Sequence, residues 1–175
     1  MPATVKHQQL ADEKVATQHP DPGNVVVSRT VNAPPDTVWS VLADGWLYAT
    51  WVVGASRIPD VDLGWPRVGS CIHHSVGLWQ ALIDDTTHVL ASREGTELVL
   101  QARAWPAGEA EVRITLTAER ADQTAVSMAE DATGGPGRLI PRPVRQALIG
   151  PRNVETLRRL ALLAEGRYRD RLAGR

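Results

Sequence analysis

A histidine on a predicted strand is one of two side chains in this sequence best suited to acid–base chemistry. His74 lies on a segment in which Ile72 and Val76 are apolar at alternate positions. Because successive strand residues point to opposite faces, His74 is predicted to face the core and His73 the solvent. An inward histidine is more often a hydrogen-bonded part of the core than a proton donor or acceptor, so both interpretations stand.

A carboxylate on the last predicted strand is the second candidate. Val126 and Met128 alternate with polar residues there, which directs Glu130 to the inner face. A charge buried among apolar side chains is costly unless a cation pairs with it. We expect that cation to be an arginine from the segment that follows the strand, Arg138 or Arg142. Together, His74 and Glu130 are the candidate catalytic residues.

Other chemical signatures are weak in this sequence. His73 and His74 are neighbours on a strand and point apart, so they do not share a metal ion in regular geometry. The carboxylate pairs Asp84–Asp85 and Glu130–Asp131 diverge in the same way. Each pair is expected to contribute one inward and one outward side chain. The chain contains no metal-ligand spacing of the zinc type, no glycine-rich phosphate loop and no nucleophile elbow. We therefore predict neither a metal site nor a cofactor.

A pocket is predicted where small side chains face inward. The alternation that buries Leu100 also directs Ala102 and Ala104 to the inner face, and alanines on a concave surface leave space. Tryptophans near such a space suit a flat or hydrophobic small molecule, although ordinary core packing explains most tryptophans. The candidate ligand-binding residues are Trp46, Trp51, His74, Trp79, Leu100, Ala102, Met128 and Glu130.

The elements that must position these residues follow a simple order along the chain. A β-rich run is followed by a helix that begins at Pro35, where proline fits the first turn, and then by a second short turn. Six further strands and one long helix complete the domain, with a strand irregularity expected at Asp84–Asp85. The predicted strands are 24–32, 54–58, 68–76, 79–90, 97–105, 109–119 and 124–131, and the predicted helical segments are 35–43, 46–51, 143–149 and 151–167.

The closing helix is predicted from apolar residues at intervals of three and four. Proline within a helix removes one hydrogen bond and clashes with the preceding turn, so a break or kink is expected at Gly150–Pro151. The first helical piece would be 143–149, and the main helix would begin at Pro151. Its predicted buried face comprises Val154, Leu157, Leu160, Ala161, Ala164 and Tyr168.

Length and composition indicate one domain that can bury a core of its own. The 175 residues contain one cysteine, Cys71, no run long enough to span a bilayer and no apolar signal core, so we expect a cytoplasmic protein. The expected division is a flexible arm at 1–23, a ligand-binding domain at 24–167 and a basic tail at 168–175.

Positive charge is concentrated at the end of the chain. Residues 138–175 carry ten arginines against three acidic residues, whereas the whole chain has a net charge of −1. The simpler interpretation is that these arginines cover the exposed side of the helix and pair with acidic residues at the rim of the sheet. The alternative is a surface for an anionic membrane or an acidic partner. No nucleic acid partner is expected.

The order of elements resembles the helix-grip fold of the START-like superfamily, also called SRPBCC, which includes the polyketide cyclase/dehydrases. The resemblance covers residues 24–167, and its most recognisable parts are 28–39, 126–131 and 153–160. It implies an α+β fold in which a curved antiparallel sheet of six to seven strands wraps around the C-terminal helix. It implies a cavity, but not a catalytic set, because fold alone does not determine function.

Three functions follow as hypotheses. The first is binding of a small hydrophobic ligand, such as a lipid, an isoprenoid or an aromatic polyketide, between the sheet and the C-terminal helix. The second is an enzyme of the cyclase/dehydrase type that uses His74 or Glu130 to move protons in the same cavity. The third is an interaction protein that docks through its basic C-terminal helix.

Overall fold

The computed structural model describes residues 25–76, 83–104 and 108–174. Seven antiparallel strands form one curved sheet in the order β1-β7-β6-β5-β4-β3-β2, so most neighbours in space are also neighbours in the chain. This α+β architecture confirms the predicted fold class. The strands are β1 (Val26–Val31), β2 (Ala55–Val61), β3 (Cys71–Val76), β4 (Ile83–Arg93), β5 (Glu97–Ala104), β6 (Gly108–Arg120) and β7 (Gln123–Gly134).

Three α-helices and two short 3-10 helices accompany the sheet. The first helix begins with a proline, whose missing N–H costs nothing in the first turn, and buries Val38, Val41 and Leu42. The last helix packs against the first two helices and against β1 and β7. The helices are α1 (Pro35–Leu42), α2 (Tyr48–Trp51) and α3 (Arg142–Leu172), and the 3-10 helices are Gly45–Leu47 and Pro136–Leu139.

Two details of the predicted strands are wrong. β2 continues through Pro59 to Val61, where a loop was expected, because an edge strand tolerates a proline whose nitrogen faces away from the ladder. β3 pairs in regular register with Asp84 and Asp85, so the expected irregularity is not there. The register shift of β4 lies on its other side, against β5, between Val89 and Ala91.

The predicted division of the closing helix into two pieces at Gly150–Pro151 is wrong, because α3 runs through Pro151 as one helix of 31 residues. Proline costs the helix one hydrogen bond, but both flanks of Pro151 are attached to the same strand. On one side the Gln146 amide donates to the carbonyl of Glu130, and on the other Arg152 pairs with the Glu130 carboxylate. These two attachments fix α3 to β7 on both sides of the proline.

The buried face of α3 differs from the predicted face at one position. Leu157, Leu160, Ala161 and Ala164 are buried as predicted, whereas Val154 is 52% exposed and Asn153 is buried in its place. Val154 and Asn153 lie three and four residues before Leu157, and both spacings fit the buried face of a helix, so periodicity alone does not choose between them. Tyr168, at the far end, is half-buried and packs against the core.

The arginines of α3 mostly pair with acidic residues of the body, in agreement with the simpler interpretation. Arg167 lies 3.3 Å from the carboxylate of Asp44, and Arg171 lies 3.1 Å from that of Asp36. Arg158 pairs with Glu155 of the same helix. Within the part of the chain that the structure describes, no helix has both the length and the hydropathy required to cross a membrane.

Candidate functional site

A buried tyrosine lies at the centre of the candidate site. Tyr48 begins α2, is 4% exposed and has its ring centroid 5.3 Å from that of Trp51 in an edge-on arrangement. On its other side, the His74 ring of β3 lies 5.4 Å away. The preceding Gly45 permits this close approach to the sheet, because a β-carbon there would lie 2.6 Å from the Val61 side chain.

A short chain of hydrogen bonds joins Tyr48 to the sheet. The Tyr48 hydroxyl lies 3.1 Å from the Thr87 hydroxyl, which in turn lies 2.9 Å from Nε2 of His74. Sheet register explains this contact, because β3 places Ile72 opposite Thr87 and His74 opposite Asp85. Residues directly opposite each other on paired strands, and residues two apart on one strand, point to the same face of the sheet. His74, Asp85 and Thr87 are therefore presented together.

Burial sets the protonation states of these groups. Desolvation lowers the pKa of His74 below its ordinary value of 6.5, although the negative charge of Asp85 opposes that change. Burial also raises the pKa of Tyr48 to about 12. Around neutral pH the site therefore presents a neutral imidazole and a neutral phenol, both able to exchange hydrogen bonds with an uncharged molecule.

Three buried nitrogen atoms near α2 have no hydrogen-bond partner among the described residues. They are Nε1 of Trp51, Nδ1 of His74 and Nδ2 of Asn153. All three side chains are more than nine-tenths buried. Thr156, one turn after Asn153 on α3, accepts a hydrogen bond from the backbone N–H of Val53, two residues after α2, so this part of α3 lies beside α2. A buried polar group without a partner costs about 1–3 kcal/mol, which favours a role in binding.

An ion pair connects β7 to α3 beside this region. Both carboxylate oxygens of Glu130 accept hydrogen bonds from Arg152, so the partner predicted as Arg138 or Arg142 is wrong. Arg142 instead lies 3.8 Å from Asp131, and Arg138 donates to a backbone carbonyl. The physical reason is that the helix runs unbroken along β7, which carries Arg152 to the inward Glu130, while Arg142 lies beside the outward Asp131.

Small side chains line the sheet next to Thr87. Across the strands Thr87 lies opposite Ala102, Ala102 opposite Ala110, and Ala110 opposite Ala132. The three alanines are only half-buried. The three alanines therefore place a row of methyl groups on the sheet face that carries Thr87.

The structure brings most of the predicted site residues to one side of the sheet. His74, Glu130, Leu100 and Met128 are buried as the alternation predicted, and His73 is exposed. Trp51 is fully buried and Ala102 lies in the alanine row. Trp46 is 59% exposed and therefore does not close the region. Trp79 lies outside the described residues, and so do residues 1–23, the predicted arm.

Sequence reasoning missed Tyr48, Thr87, Asn153 and Arg152. Thr87 shares the alternation of Asp85 and Val89, so a signal for its orientation was present. Tyr48 lies in a turn in which any of several large residues could have faced inward. Among the described residues, no cluster of three or more histidine, cysteine, aspartate or glutamate side chains could hold a metal ion.

Residues 22–165 match the model of the family described as polyketide cyclase/dehydrase and lipid transport. The chain belongs to this family. Among curated proteins, none matches the chain. The family assignment agrees with the helix-grip arrangement of the sheet around α3 and with the resemblance inferred from the sequence.

Solved structures show the same fold at low sequence identity. An aromatase/cyclase from Streptomyces sp. R1128 is 20% identical, with a TM-score of 0.60 over 82% of this chain and 94% of that one. A protein from Nitrosomonas europaea is 18% identical, with a TM-score of 0.63 over 83% and 97% of the two chains. A protein of the dynemicin biosynthetic locus is 23% identical, with a TM-score of 0.56 over 83% and 48%.

Proposed function

We propose that the protein binds a small hydrophobic molecule that carries ring oxygens, in the space between the sheet and α3. The observation that carries this proposal is the set of unpartnered nitrogens of Trp51, His74 and Asn153, placed among apolar side chains. Family membership supports a ligand-binding or polyketide-processing role in general terms. An aromatic polyketide is the ligand class that fits best.

The polar groups favour oxygenated rings over simple acyl chains. The indole of Trp51 and the amide of Asn153 are hydrogen-bond donors, and His74 accepts or donates at Nδ1 according to its tautomer. Carbonyl and hydroxyl oxygens would satisfy these groups, whereas a saturated chain would leave each of them buried without a partner. The alanine row beside Thr87 supports a flat shape.

Isothermal titration calorimetry with a flat oxygenated probe tests the proposal. Dihydroxyanthraquinone should bind the purified protein, and hexadecanoate should bind more weakly. Asn153→Leu removes one buried donor with little change in volume and should weaken the binding of the quinone roughly 10- to 100-fold. Asn32→Leu makes the same change at an exposed position and is the matched control, which should leave the affinity for the quinone unchanged. Equal affinity in wild type and Asn153→Leu would contradict the proposal.

A second candidate function is catalysis in the same space, and the hydrogen-bonded His74 favours it. The lowered pKa of His74 leaves its imidazole neutral near pH 7, so Nδ1 could take a proton from a carbon between two carbonyls. The resulting carbanion would attack another carbonyl carbon of the same chain and close a ring, and the alkoxide so formed would take the proton back from Nδ1. Removal of the second proton from the same carbon, with departure of the hydroxyl, would release water and leave a double bond in the ring. An aromatase/cyclase has a similar fold.

Glu130 would act indirectly in such a reaction. Because Arg152 engages both of its oxygens, Glu130 would hold the guanidinium in position rather than move a proton itself. Incubation with a linear tri-β-carbonyl ester, followed by mass spectrometry, should show loss of water at a rate that His74→Gln abolishes and Glu130→Gln reduces. Equal rates in wild type and His74→Gln would exclude His74 as the base.

A further inference from the structure

The first part of α3 and the 3-10 helix before it turn their apolar side chains away from the protein. Leu139, Ile140, Val144 and Leu148 are all exposed, and Leu148 is 68% exposed. Val144 and Leu148 are one helical turn apart and lie on one face together with the exposed Ala147. We call these five residues the outward apolar patch.

Polar residues occupy the inner side of the same segment. Arg145 pairs with Asp131 at 2.6 Å, and Gln146 bridges the backbone of Glu130 and the backbone N–H of Val25. The segment is therefore held to the sheet by ion pairs and hydrogen bonds, and its apolar side chains are not needed for that attachment. An amphipathic helix normally turns its apolar face to the core, so the reversed arrangement indicates that another surface covers the patch.

The charge around the outward apolar patch indicates what kind of surface covers it. Four arginines lie between residues 138 and 152, whereas no aspartate or glutamate occurs from residue 132 to residue 154. Glu130 and Asp131 pair with some of these arginines, which still leaves a positive excess. Arg142 and Arg152 remain 38% and 40% exposed in spite of their ion pairs.

We propose that the outward apolar patch docks on an anionic membrane surface. Leucine, isoleucine and valine side chains would enter the boundary between headgroups and acyl chains. Arg138 and the exposed parts of Arg142 and Arg152 would meet lipid phosphates. A second copy of the chain fits less well, because a two-fold contact through this patch would bring two basic segments together. Neutral partners would leave the positive charge without a counterpart.

Co-sedimentation of the full chain with lipid vesicles tests this proposal. The chain should bind vesicles of phosphatidylcholine mixed with about one-third phosphatidylglycerol and should bind pure phosphatidylcholine weakly. The double variant Val144→Glu, Leu148→Glu should lose roughly tenfold or more in partitioning. Leu162→Glu, at an exposed leucine later in the same helix, is the matched control and should partition like the wild type.

Salt and oligomeric state complete the test. Raising sodium chloride from about 0.1 M to about 0.5 M should reduce binding to the anionic vesicles, because the charges are exposed. Absence of vesicle binding, or equal binding by the double variant, would overturn the proposal. A dimer in light scattering that the double variant converts to a monomer would also overturn it, by showing that a second copy covers the patch. Calorimetry with dihydroxyanthraquinone on the double variant tests the ligand site separately.

Discussion

The two halves of α3 are amphipathic in opposite senses. From Arg142 to Pro151 the helix turns arginine and glutamine toward the sheet and valine and leucine toward solvent. From Asn153 onward it buries Leu157 and Leu160 and exposes arginine. One continuous helix is thus attached by ion pairs at its start and by the hydrophobic core at its end. The stability of the fold is expected to depend on the second half, and recruitment to other surfaces on the first.

The difference between the two halves of α3 originates in the elements that each half packs against. The last turns of α3 lie over α1 and β1, where Val31, Val38 and Val41 form the core. The first turns lie beside the end of β7, which supplies the carboxylates of Glu130 and Asp131. Buried carboxylates require cationic partners, so an arginine-rich inner face is the physical consequence of that strand end.

The largest expected effect comes from a leucine-to-alanine substitution in the second half of α3, compared with the same substitution in the first half. Leu160→Ala should lower the free energy of unfolding by about 2–5 kcal/mol, because Leu160 is fully buried and the change leaves a cavity. Leu148→Ala, at an exposed position, should change it by less than about 0.5 kcal/mol. Urea denaturation followed by circular dichroism measures both. Comparable losses in the two variants would contradict the division of α3.

A smaller effect is expected from the ion pairs of the helix. Arg152→Leu leaves Glu130 buried without its partner and should cost about 1–3 kcal/mol of unfolding free energy, since Arg152 is itself partly exposed. Arg158→Leu removes an exposed pair with Glu155 and should leave the denaturation midpoint unchanged. If Arg158→Leu were the more damaging variant, the inner ion pair would not be what attaches this part of α3.

The smallest expected effect concerns the inner and outer histidines of β3. The pKa of His74 is lowered by burial, so below pH 6.5 the unfolded state binds a proton that the folded state does not. The melting temperature should therefore fall as the pH decreases from 6.5 toward the lowered pKa. His74→Gln should flatten this dependence, whereas His73→Gln, on the exposed face, should retain it. An unchanged pH dependence in His74→Gln would show that burial does not control this group.

Sequence pattern predicted the sheet and the inward side chains because alternation is a local property of strands. It placed His74 and Glu130 on the inner face, where the structure has them. The closing helix was predicted because the spacing of its apolar residues, at intervals of three and four, is also a local property of the sequence. Local rules failed at Pro151, where two attachments to β7 outweigh the loss of one hydrogen bond.

The remaining errors concern contacts between elements that are distant in sequence. Periodicity allowed either Val154 or Asn153 on the inner face, and the tertiary structure buries the asparagine. The partner of Glu130 depends on how far α3 extends along β7, which no local pattern encodes. The hydrogen bonds of Tyr48 require the register of β3 and β4. The candidate site was therefore predicted in part: His74, Glu130 and Trp51 were named from the sequence, whereas Tyr48, Thr87, Asn153 and Arg152 were not.

The most direct test of ligand binding between sheet and helix compares two indole N–H signals by NMR. Isotope-labelled protein is titrated with dihydroxyanthraquinone, and Trp51→Phe and Trp46→Phe variants assign the two resonances. Binding in the proposed space should shift the Trp51 signal, because its Nε1 gains a hydrogen-bond partner, and leave that of exposed Trp46 in place. A shift of the Trp46 signal while the Trp51 signal stays unchanged would contradict the account.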